Sequence, residues 1–258
     1  MVNATQPART WAFPFFTLWT GQALSLLGSR VAQFALIWWI TQTTGSAVLL
    51  TTLALVATIP QVVLGPIGGA LVDRWNRRLI MLVADSVIAL STALLILLFW
   101  SDHLQLWHIY VTTFVGATMG IVHFTAMMAT TSLMVPESHL AQVQGANQML
   151  QGVMSIAAPP LGAFLVAILP LHQILSIDLI TAAFAIIPLF LLTIPQPKHS
   201  EQEPNSSVWA EVRFGLQYIW QWPGLLIVVV SGMVLNMLVN PTFTGTFRKA
   251  PAFRHGDG

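Results

Sequence analysis

The stretch Gly65-Pro66-Ile67-Gly68-Gly69-Ala70-Leu71-Val72-Asp73-Arg74-Trp75-Asn76-Arg77-Arg78 decides the fold. An apolar run stops at Asp73, three arginines follow, and a second apolar run opens at Leu79. Two apolar runs joined by so short a charged turn read as membrane-spanning helices meeting at one face of a bilayer. Composition agrees: of 258 residues, 55% are hydrophobic and 7% charged, where a soluble domain carries about 25% charged residues. The mean hydropathy is +0.74. The formal net charge is +1 and no basic block is available to hold phosphates, so nucleic acid is not an expected partner. Cysteine is absent, which excludes disulfides, thiolate chemistry and cysteine metal sites. Residues 1–10 are polar, and the apolar stretch after them is too long for a signal-peptide core.

Working outward from the arginine turn, stretches of about 20 apolar residues mark further spans. The sequence predicts six, over residues 11–40, 47–72, 79–100, 106–131, 141–169 and 173–194. Residues 195–222 change character. Prolines and charges make a linker, followed by an aromatic-rich amphipathic segment suited to a membrane surface. Residues 223–240 start a seventh span, and 241–258 read as a polar, basic, aberrant tail outside the membrane. Arg9, the arginine turn, Lys198 and Arg213 all fall on one side if the chain crosses six times, while loops 41–46, 101–105 and 170–172 lack Lys and Arg. The positive-inside rule then places residues 1–10 and the linker in the cytoplasm.

An internal repeat is present as well. Pro66, Gly68, Leu71 and Val72 recur as Pro160, Gly162, Leu165 and Val166, the first set meeting the cytoplasmic face and the second the outer face. Two three-helix units of opposite topology would place them so. Close helix packing through small residues would on its own account for both segments.

The arginine turn, set among these spans, resembles the signature loop of the major facilitator superfamily. The positions that carry the resemblance are Gly65, Gly69, Asp73, Arg74, Arg77 and Arg78. The family usually has Gly before the closing basic pair; here it is Asn76, a residue that tolerates the left-handed backbone region. Helix five carries Gly152, Pro159, Pro160 and Gly162, a degenerate form of the antiporter motif of drug exporters. The turn of residues 133–140, with Asn147 and Asp85, is similar to the macrolide-efflux-like and siderophore-exporter branch. The resemblance covers residues 11–240. It implies an all-α membrane fold, a six-helix half built as a 3+3 inverted repeat plus a partial seventh helix, and a gating role for the arginine turn.

Three charges fall inside predicted spans, where charge is costly and usually functional: Arg30, Asp85 and Asp178. Asp85 is near enough to the turn to pair with Arg77 or Arg78. Asp178 suits a helix end or interfacial water, and Arg30 can snorkel. Arg30, Gln33 and Phe34 share one face of helix one, and His123 and Met127 one face of helix four. Gln148 and Gln151 lie on one stripe of helix five. In facilitators such faces line the central cavity, so the resemblance implies a substrate wall of these residues. His123 can exchange a proton near neutral pH, or can simply make an interhelical hydrogen bond.

No enzyme signature, metal motif or cofactor motif is present. The expected function is proton-coupled efflux of an amphiphilic small molecule or drug across a bacterial plasma membrane, with H+ and the bilayer as partners. A non-transporting fragment or scaffold and an importer on the same fold are the alternatives. Because a facilitator has two such halves, this chain is expected to need a missing C-terminal half and to be inactive alone.

Overall fold

Six helices follow one another through Ala12–Thr44 (α1), Ala47–Arg74 (α2), Arg77–Trp100 (α3), Leu106–Met134 (α4), Glu137–Ile168 (α5) and Leu171–Leu191 (α6). The structure, a computed structural model, describes residues 11–192 together with Gln221, Trp222, Gly224, Ile227 and Ser231, the side chains of residues 66–71, 73 and 74 excepted. The chain divides into two units, 1–202 and 203–258. Gln221, Gly224, Ile227 and Ser231 are helical in the second unit. The expected tail 1–10, most of the linker 195–222 and of the seventh span 223–240, and the tail 241–258 lie outside the described residues. All six helices of the first unit are long and apolar enough to cross a membrane.

The helix ends show why the chain breaks where it does. Gly45 closes α1 with φ 61, and its N–H bonds Thr41 O; only glycine adopts that conformation without strain. Ser46 then caps α2 through Leu49 N. The arginine turn is only Trp75-Asn76. Asn76 is not left-handed, as its identity suggested, but extended (φ −64, ψ 111), and its side chain accepts from Leu79 N at 3.2 Å. It is used as a helix cap, which lets α3 begin at Arg77 instead of Leu79. α5 likewise starts four residues earlier than expected, because Pro136 tolerates the missing N–H at a helix start and Glu137 suits its first turn. Pro170 opens α6 and does not close α5.

The bundle repeats itself at an offset of 94 residues. α1 begins at 12 and α4 at 106, α2 ends at 74 and α5 at 168, and α3 begins at 77 and α6 at 171. The offset is the one that superposes Pro66 on Pro160. Neighbours obey the same exchange: α1 packs on α6 and α5, α4 packs on α3 and α2, and α3 meets α6. Swapping 1 with 4, 2 with 5 and 3 with 6 leaves this pattern unchanged, as an inverted 3+3 repeat requires.

Two apolar clusters fill the bundle. One, near the arginine turn, contains Phe15, Leu18, Met81, Met127 and Leu189. The other, at the opposite end, contains Val31, Ile40, Leu95, Ile109 and Ile174. Outward faces are apolar too, as at Leu55, Leu90, Leu97 and Phe184, which suits lipid. Close packing of α1 on α6 depends on glycine. A Cβ at Gly21 would strike Phe184 O, and one at Gly28 would strike Thr181 Oγ1.

Candidate functional site

Between the two apolar clusters lies a polar midsection. On α1 it holds Gln22 and Ser29, between Leu18 and Val31 of the two clusters; on α3, Asp85 and Thr92, between Met81 and Leu95. On α4 it holds His123, and on α6 Asp178. Each buried polar group here must find a partner inside the protein, because lipid offers none.

They form two carboxylate sites. Asp178, 4% exposed, accepts from Ser29 Oγ at 2.9 Å on Oδ1 and from Thr92 Oγ1 at 3.0 Å on Oδ2. The carboxyl thus ties α6 to α1 and α3. Asp85 accepts from Gln22 Nε2 at 2.9 Å on Oδ2, and its Oδ1 lies 3.3 Å from His123 Nε2. That contact has ion-pair distance without hydrogen-bond alignment. The Asp85 and His123 side chains are 9% and 17% exposed. Sequence reasoning expected Asp85 beside Arg77 or Arg78; the arginines turn elsewhere. Arg77 Nη1 donates to Ala129 O at 2.8 Å. Arg78 donates from Nε to Leu189 O at 2.5 Å and from Nη2 to Phe190 O at 2.8 Å. Those carbonyls end α6 and would otherwise lack donors, and a cation there also meets the negative end of the helix dipole.

A second polar face joins α1 and α5. Arg30, exposed in mid-helix, donates from Nη2 to Gln151 Oε1 at 3.3 Å. Gln33 and Gln148 are exposed on the same two helices. Trp19 Nε1 donates to Asn147 Oδ1 at 2.7 Å. Phe34 covers the buried Gly162, where a Cβ would meet its ring, and stacks on Trp38 at 6.5 Å between centroids. Gly152, Pro159 and Pro160 are exposed on α5, whose helix runs through both prolines. Met127 is buried in the apolar cluster near the arginine turn, away from the Arg30 face. Gly65 is exposed with open space around it. Gly69, Asp73 and Arg74 are helical, and their side chains lie outside the described residues.

Sequence reasoning named Asp85, Asp178 and His123 but missed Gln22, Ser29 and Thr92. A signal for Ser29 existed. His123 is 94 residues after Ser29, the offset of the repeat, so the residue that touches Asp178 and the residue that touches Asp85 are repeat equivalents.

Comparison with known proteins points the same way. The sequence pattern of the Major Facilitator Superfamily matches residues 18–252. Macrolide efflux protein A of Streptococcus pyogenes is 33% identical over 236 residues, covering 90% of this chain and 58% of that protein. Macrolide efflux protein A of Enterococcus faecalis is 31% identical over 202 residues, 77% of this chain and 62% of its own. The multidrug efflux pump Tap of Mycolicibacterium fortuitum is 25% identical over 232 residues, 86% of this chain and 56% of its own. The chain spans little more than half the length of these relatives.

Proposed function

The chain belongs to the major facilitator superfamily, in its macrolide-efflux-like branch, and from that premise we propose that it forms one half of a proton-coupled exporter of amphiphilic drugs such as macrolides. Arg30 carries the reading: an exposed guanidinium held by Gln151 in the middle of a membrane-spanning helix, beside exposed Gln33 and Gln148. Lipid does not accept such a face, so it fronts a water-filled cavity or a second half. On this reading the amides and Arg30 bind polar groups of the drug, while Phe34 offers apolar surface. His123, beside the carboxylate of Asp85, exchanges the coupling proton. The substrate passes chemically unchanged, and the protein is no enzyme.

Alternating access rocks this half against another around the Arg30 face. The arginine turn acts as the gate: Asp73 and Arg74 act with the ties of Arg77 and Arg78 to α4 and α6. The N-terminus is cytoplasmic, so a reporter fused after Val135 reads cytoplasmic and one after Ser101 reads outside; opposite readings reject the orientation. The six helices alone do not transport. Purified chain in liposomes gives no saturable, gradient-driven flux, and such flux would overturn this part. Joined to the second half of the Streptococcus pyogenes protein, the chain lowers macrolide accumulation in susceptible cells, and a protonophore restores it. Accumulation that stays unchanged in folded, membrane-inserted chimera rejects the export reading; uptake that rises favours the importer.

A further inference from the structure

An aromatic cavity lies in the crevice between α1 and α5. It encloses about 280 Å3 and is walled by Trp11, Phe15, Phe16 and Trp19 of α1 and by Val143 and Ala146 of α5. Phe15 and Val143 also belong to the apolar cluster near the arginine turn, which sets the cavity at that end of the bundle. The four rings come from one stripe of α1, because helical spacing brings residues 11, 15, 16 and 19 to the same side.

The cavity is continuous with the Arg30 face. α1 and α5 run side by side in one register: Trp11 meets the His139 ring, Trp19 bonds Asn147 and Phe34 covers Gly162, each pair 128 positions apart. Arg30 and Gln151 are 121 positions apart, so their bond leans about two turns back toward the cavity. Gln151 stands one turn, about 6 Å of helix, beyond Asn147. Aromatic walls and guanidinium are successive parts of one trough.

We propose that this cavity is a binding subsite for the apolar ring of an amphiphilic small molecule, whose oxygen acceptors then lie against Arg30 and Gln151. Size comes first. A drug-sized ligand fills about 300–1,000 Å3, so a cavity of about 280 Å3 takes one ring system and leaves the rest of the molecule along the crevice. The walls come second. They are almost wholly apolar, but Trp11 Nε1 is buried in them without a hydrogen-bond partner. An ether, carbonyl or hydroxyl oxygen would satisfy that N–H, and a hydrocarbon tail would not. Charge comes third. The starts of α1 and α5 border the cavity at Ala12 and His139, and neither helix has a side-chain cap. Aromatic walls could hold an ammonium group, but two positive helix ends on one side and Arg30 on the other repel it. The wall is also preformed, because Asn147, 9% exposed, accepts from Trp19 Nε1 at 2.7 Å and fixes that ring.

The inference rests on the export reading for its substrate, but its test needs only binding. The full 258-residue chain, labelled with 5-fluorotryptophan, is held in lipid nanodiscs and titrated with a macrolide. The 19F signals lost in Trp11→Phe and in Trp19→Phe should shift saturably. The signal lost in Trp107→Phe, at the other end of the bundle, should not. Ala146→Trp, at an exposed position of the wall, fills the cavity with a ring of its own and should weaken binding by at least about tenfold. Trp11→Phe keeps a ring but removes the donor, and should weaken binding about two- to tenfold. Should Ala146→Trp fail to fold, the shifts at Trp11 and Trp19 decide alone. Signals that follow the acyl-chain length of the lipid and ignore the macrolide mark a lipid-filled cleft and overturn the subsite, as does parental affinity in folded Ala146→Trp. Binding at the cavity without efflux by the chimera rejects the export reading and leaves the subsite; efflux that Ala146→Trp leaves at the parental level does the reverse.

Discussion

Asp85 and Asp178 are two carboxylates at nearly equivalent places in one repeated bundle, and they are built differently. Asp178 is saturated by neutral donors, Ser29 at 2.9 Å and Thr92 at 3.0 Å, each from a different helix. Asp85 has one amide at 2.9 Å and one imidazole at 3.3 Å. A carboxylate fed by hydroxyls from two other helices fixes three helices together. The carboxylate of Asp85 joins α3 to α1 through Gln22 and lies against His123 of α4. The two carboxylates sit one residue apart in the repeat, and each found its own partners: an amide and an imidazole for Asp85, two hydroxyls for Asp178.

The comparison breaks most sharply at Asp178. Asp178→Ala leaves two buried hydroxyls without their acceptor and opens a small void, so it should destabilise the six-helix unit by about 2–4 kcal/mol. Thermal unfolding in nanodiscs should show the same loss at pH 6 and pH 8. A loss confined to one pH would mean that the tie to Ser29 and Thr92 depends on the charge of the carboxyl.

His123→Ser sharpens the comparison, because it puts at position 123 the residue type that Ser29 supplies at the repeat-equivalent place, with Gln22 still on Asp85. The shorter serine does not reach Asp85 and opens a small void, and Gln22 still holds the carboxylate, so the cost should be about 1–2 kcal/mol. The pH dependence of thermal stability should flatten relative to the parent. Persistence of the parent's full pH dependence would assign it to another group. Smaller still is Arg78→Gln, which loses a cation at the α6 C-terminus but keeps one donor. About 0.5–1 kcal/mol is expected, equal in the presence and absence of the His123 change, because the tie to Leu189 and Phe190 is separate from both carboxylates.

Much of this architecture was legible in the chain. Six spans follow from hydropathy, a local property, and the arginine turn marks where two of them meet. The short Pro66/Pro160 match foretold the repeat, and the helix ends extend it across the whole unit. Pairing across helices was not legible. Gln22 reaches Asp85 over 63 positions and Ser29 reaches Asp178 over 149. Proximity in sequence favoured Arg77 and Arg78 for Asp85, but Arg77 binds a carbonyl within α4 and Arg78 the carbonyls that end α6. Asn76 misled for a related reason: the same side chain that tolerates a left-handed turn is also a good helix cap, and in the two-residue connection Trp75-Asn76 it serves as the cap. Arg30 and Gln151 fell on stripes that helical spacing alone identifies, and the structure brings those stripes face to face.

Proton release on drug binding tests the central claim most directly. The chimera with a complete second half, purified in weak buffer with a pH-sensitive dye, is mixed with a macrolide. The account predicts that binding expels a proton in the parent and in Asp178→Asn, and none in His123→Ser. Release that survives His123→Ser, or that disappears in a folded Asp178→Asn protein, would contradict it.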